Sequence, residues 1–185
     1  MEGTDYGQPL LSQGVVADEV ADPPFFTGGQ CPATRRCRWS DAARAQYRGG
    51  FSGQRGVISR TSEPNRKRNN LEITRTFTIN GELASGGVVG ATANKIGRTT
   101  GWTQGQITQT NVTTSVSGSN ITMLGQTLVS AGVGGGDSGS PVFVLGSGSN
   151  VTLLGILWGG SSNGRSFVYS PISTVEGELG PLAST

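Results

Sequence analysis

The chemistry in this sequence centres on Gly134-Gly135-Gly136-Asp137-Ser138-Gly139-Ser140-Pro141-Val142-Phe143. Its glycines permit tight turns and close backbone approach. Acyl transfer needs that setting: a hydroxyl held in a tight loop whose main-chain N–H groups face the developing oxyanion. An ordinary Gly/Ser turn in so glycine-rich a chain would look the same in isolation. The sequence contains no histidine, so it cannot by itself complete a Ser-His-Asp triad. Cys31 and Cys37 bracket a short loop, Cys-Pro-Ala-Thr-Arg-Arg-Cys. Metal binding would need further ligands, and there is no histidine to help; no metal or other cofactor is expected. A local disulfide is the expected state and implies an oxidising compartment. Two free thiols in a cytosolic loop are the alternative.

The elements that must position these residues are short strands. The chain has 185 residues, of which 31 are Gly, and runs of strong helix formers are scarce. Strand material recurs at Gly56 to Arg60, at Leu71, Ile73 and Phe77 to Ile79, and at Lys95 to Gly97. It continues at Gln106 to Val116, Ile121 to Leu124, Pro141 to Leu145, Val151 to Trp158 and Val168-Tyr169. Asn80-Gly81 and residues 117–120 read as turns. This spacing predicts an all-β antiparallel barrel architecture. The net charge of +2 is small. The densest basic run, Arg66-Lys67-Arg68, has no interleaved aromatics and reads as a solvated linker rather than a nucleic-acid site. No apolar run approaches the roughly 18 residues of a membrane span. The N-terminus lacks the basic and apolar regions of a signal peptide.

The segment around Ser138 resembles the nucleophile loop of the chymotrypsin/trypsin-like serine peptidases. The resemblance implies Ser138 as nucleophile and the N–H groups of Gly136 and Ser138 as oxyanion hole. Gly97-Arg98-Thr99-Thr100-Gly101-Trp102 is similar to a segment of the family's bacterial secreted branch, in which the Arg pairs with the Asp beside the nucleophile; that implies an Arg98–Asp137 ion pair. Leu157-Trp158-Gly159-Gly160 with Phe167-Val168-Tyr169 resembles the strand pair walling the primary specificity pocket. Gly132, Val133, Leu157, Trp158, Gly159 and Phe167 would then line it. With Gly132 at the pocket base and no carboxylate there, apolar or small side chains are the expected choice. Cys37-Arg38-Trp39-Ser40-Asp41-Ala42-Ala43 resembles the segment around the triad Asp, implying that Asp41 orients the base.

The resemblance implies a double antiparallel barrel, trypsin-like serine endopeptidase activity, protein or peptide substrates and a secreted monomer. Residues 1–60 would be the remnant of an N-terminal barrel, 61–70 a linker, 71–175 the C-terminal barrel and 176–185 a tail. The family's chain order is His, Asp, Ser, and the His segment has no counterpart before Asp41. A truncated product is the first explanation. A pseudopeptidase that binds peptides without cleaving them is the second, and a His supplied by another chain is the third.

Overall fold

The computed structural model describes residues 5–7, 14–62, 64 and 71–182. Residues 66–68 and most of the expected linker lie outside the described residues.

The strands are β1 (Asp5–Gly7), β2 (Val15–Ala21), β3 (Arg36–Arg38), β4 (Arg44–Tyr47), β5 (Val57–Thr61) and β6 (Ile73–Glu82). They continue as β7 (Thr92–Gly97), β8 (Gly101–Ser115), β9 (Ile121–Ser130), β10 (Pro141–Leu145), β11 (Asn150–Gly160) and β12 (Phe167–Pro171), followed by helix α1 (Ile172–Leu179). β1, β2 and β4 form a three-stranded antiparallel sheet; the other strands form a nine-stranded one. Within the larger sheet, β10–β7–β8–β9–β12–β11 closes into a ring because β11 pairs back with β10.

The closure follows from side-chain alternation, since one face of each strand must be buried. Each strand of the ring sends a residue into one buried cluster: Ala93, Ile107, Val129, Val142, Leu157 and Tyr169. Phe143, next to Val142, faces outward into a second cluster with Ile58, Phe77 and Trp102. There Phe77 meets Trp102 edge-on at 5.2 Å, an arrangement that aromatic rings prefer. Against the ring's Leu153, α1 buries Ile172, Val175 and Leu179.

One expectation changes. β6 runs straight through Asn80-Gly81, where its parallel pairing with β11 shifts register. A Gly in a strand marks such an irregularity as readily as a turn. β5 pairs antiparallel with β6, which attaches residues 57–61 to the larger sheet. The segment expected as a tail includes the end of α1, held by its apolar stripe.

Candidate functional site

The loop around Ser138 is shaped by a buried carboxylate. Asp137 is fully buried. It accepts hydrogen bonds from the N–H groups of Gly134 (2.9 Å), Thr99 (2.8 Å) and Thr100 (3.1 Å), from Thr100 Oγ1 (2.6 Å) and from Lys95 Nζ (2.9 Å). Burial pushes its pKa up, but bonds from Thr100, Lys95, Gly134 and Thr99 outweigh it and leave the carboxyl below its usual range. Gly97 is required beside it, because a Cβ there would lie 2.3 Å from Asp137 Oδ1. Gly136 sits at φ 95°, a conformation open to glycine. Ser140, also buried, returns its hydroxyl to the Asp137 carbonyl.

The cation beside Asp137 is Lys95, not Arg98. Lys95 lies on β7 with its side chain fully enclosed and also donates to Gly101 O at 3.1 Å. Burial holds its pKa below the lysine range while Asp137 pulls the other way. Arg98 falls in the turn after β7 and is exposed. Its guanidinium lies against Gly136, 3.2 Å from where a Cβ would stand. β7, Thr92-Ala93-Asn94-Lys95-Ile96-Gly97, is half polar, so the sequence carried no clear signal for Lys95 as the partner.

Asp137 and the docking of the loop on β11 leave Ser138 at the surface. Gly139 N donates to Leu157 O (2.7 Å), and Leu157 N donates to Ser140 O (2.9 Å). Ser138 is exposed, and its Oγ donates to Trp158 O at 3.1 Å. Among the described residues, neither Gly136 N–H nor Ser138 N–H donates to a protein acceptor.

Beside Ser138 lies a cavity of about 280 Å³. Residues 133–135 form one wall, Leu157, Gly159 and Gly160 the other, and residues 161–164 a polar turn between them. Three expected lining residues are elsewhere. Gly132 turns its carbonyl to Thr103 Oγ1 (2.8 Å). Trp158 and Phe167 border a different cavity, with Val116 and Leu128. The two cavities adjoin, since Gly159, Gly160 and Ser161 border both, and the β11–β12 pairing shifts register between Leu157 and Gly159, which takes Trp158 out of the ladder.

Asp41 reaches the same end of the ring by a separate route. The Cys31–Cys37 disulfide closes the turn before β3, and Arg35 pins that turn through Thr122 Oγ1 (2.8 Å) and Ile121 O (2.7 Å). β3 pairs with β9. Beyond it, the Glu178 carboxylate of α1 accepts from Trp39 N (3.1 Å), Ser40 N (2.9 Å) and Ser40 Oγ (2.6 Å). Asp41 N then donates to Ser170 Oγ at 3.1 Å. Ser170 lies directly across from Ile156 on β11, two positions before Trp158. The structure therefore brings Ser138 and Asp41 to the same stretch of β11 and β12. The Asp41 carboxylate is at the surface and makes no hydrogen bond among the described residues. Partial enclosure raises its pKa, Arg38 opposes the rise and Asp22 adds to it.

No protein-family model matches the chain, and no curated protein matches it in sequence. Solved structures do match its fold. One is Thermobifida fusca protease A, with TM-score 0.58 and 23% identity over 91% of this chain and 78% of that one. A second is a glutamic acid-specific serine protease described as using a histidine triad in substrate binding, with TM-score 0.60 and 25% identity over 90% and 73%. A third is Cellulomonas bogoriensis chymotrypsin, with TM-score 0.57 and 20% identity over 94% and 83%. The chain has the all-β fold of the bacterial chymotrypsin-like serine proteases.

Proposed function

We propose that this chain, built on the chymotrypsin-like protease fold, carries the nucleophile, oxyanion hole and orienting carboxylate of a serine endopeptidase, without its base. The observation that carries the reading is the Asp137 clamp. It leaves Ser138 Oγ exposed at a cavity mouth with two unused N–H groups beside it. An extended peptide would lie along the end of β11 past Leu157, in the manner of an added strand. Its scissile carbonyl oxygen would enter the Gly136 and Ser138 N–H pair. Ser138 Oγ would attack the carbonyl carbon, with its proton passing to hydroxide from solvent. Collapse of the tetrahedral adduct would release the amine, protonated by water. Asp41 would orient a base placed between it and Ser138. The sequence supplies no histidine for that place, and the Trp158 carbonyl that holds the Ser138 proton is no base at neutral pH. The disulfide supports an extracellular setting. The absence of histidine favours a second reading, in which the chain binds peptides and does not cleave them.

Both readings use the same cavity and predict the same selectivity. Among the described residues, no charged side chain lines it; Val133 and Leu157 are apolar, and Ser161, Ser162 and Asn163 are polar but neutral. An ammonium or carboxylate entering it would lose hydration without a counter-charge. Tetrapeptide amides ending in Ala or Gln should therefore bind about tenfold more tightly than those ending in Lys or Glu. Titration of ¹⁵N-labelled protein checks this through the amide resonances of residues 133–135 and 159–164. Preference for Lys or Glu would refute the selectivity. Absence of any shift at those residues would refute the peptide site itself.

A further inference from the structure

Gln126 is fully buried on β9, and its amide has every hydrogen-bonding capacity filled. Nε2 donates to Trp39 O (2.8 Å) and to Leu124 O (2.6 Å). Oε1 accepts from Trp158 Nε1 (2.7 Å) and Ser170 Oγ (3.0 Å). Each partner outside β9 leads to the site. Trp39 belongs to the Asp41 segment; Ser170 Oγ accepts the Asp41 N–H (3.1 Å); the Trp158 carbonyl accepts the Ser138 hydroxyl (3.1 Å). We infer that Gln126 is a positioning residue that fixes the Asp41 segment and the β11 main chain beneath Ser138 in one register. The inference rests on the proposed roles of Ser138 and Asp41.

The chemistry selects glutamine. Only a primary amide offers two donors and two acceptor lone pairs at the end of a side chain. A carboxylate would face the Trp39 and Leu124 carbonyls with no proton to give. A leucine would strand those carbonyls and leave the Trp158 indole and Ser170 hydroxyl without their shared acceptor, and buried polar groups left unpaired drive rearrangement. The Asp41 segment is otherwise tied to α1 through Glu178, and the Ser138 loop is otherwise tied to Asp137. Gln126 is the point at which the two supports share a hydrogen-bond acceptor.

The test uses the whole chain as Gln126→Leu, with Ile172→Val as a core control brought to the same stability by adjusting urea. In Gln126→Leu the Trp158 indole N–H resonance should move away from its hydrogen-bonded position. Fluorophosphonate labelling of Ser138 should slow by about ten- to a hundredfold, the scale of a small misplacement at a reacting centre. The control should leave both unchanged. Ser170→Ala, a milder change, should shift the Trp158 indole resonance in the wild-type background and not in Gln126→Leu. If Gln126→Leu fails to fold, the indole shift in Ser170→Ala alone decides: no shift overturns the inference. So does an unchanged indole resonance in Gln126→Leu, or an equal response in the control. Absence of Ser138 labelling in the wild type would instead count against the nucleophile assignment, while the indole readout would still judge Gln126.

Discussion

Lys95→Met lowers stability toward urea by about 3–5 kcal/mol, because it leaves Asp137 buried without its cation. Both side chains are fully enclosed, so neither can turn to water when its partner is lost. The remaining donors, from Thr99, Thr100 and Gly134, carry no full charge to offset a buried carboxylate. A double variant, Lys95→Met with Asp137→Asn, should recover part of the loss by removing the stranded charge. Arg98→Ala should stay within about 0.5 kcal/mol of wild type, as exposed substitutions generally do. The reverse ranking, with Arg98→Ala damaging and Lys95→Met silent, would contradict the pairing. The clamp also sets an acid limit. Asp137 has a lowered pKa in the folded chain, so its contribution is present above the ordinary carboxylate pKa, near 4, and is lost as pH falls through the lowered folded value. Loosening of the loop on acidification, followed by the Gly139 amide, checks that sign.

Hydrolysis of a peptide ester by the chain should fall orders of magnitude short of a complete triad enzyme. In the triad template, removing a member leaves roughly 10³–10⁴ over water, from the oxyanion hole and binding alone. Enzymes with full machinery commonly exceed about 10⁶. The chain presents the N–H pair and the cavity but has no histidine. With no imidazole to titrate, the rate should rise steadily with pH between about 6 and 8 and show no plateau. Brisk turnover that levels off near neutrality would mean that another group serves as base.

The tight loop around Ser138 was legible because its requirements are local: glycines, a hydroxyl and an adjacent carboxylate within one short segment. The barrel was legible through strand alternation and turn chemistry. The ion pair was misread because the Arg98 reading followed the resemblance, while the facing of Lys95 depends on the register of β7. Trp158 was misplaced in the pocket for a related reason. Pairing between β11 and β12 shifts at Trp158, which turns its indole to Gln126 and away from the cavity. Gln126, Ser170 and Glu178 gave no sequence signal at all. Their partners in the Asp41 segment lie far away along the chain, so only the folded ring brings them together.

On the proposed reading, Ser138, of all the hydroxyls in this chain, is the one set for acyl transfer. Prolonged exposure to a fluorophosphonate, followed by peptide mapping, tests it most directly. The expected result is slow labelling confined to Ser138 and absent in Ser138→Ala. Labelling spread over other exposed serines, with Ser138 no more reactive than they are, would contradict it.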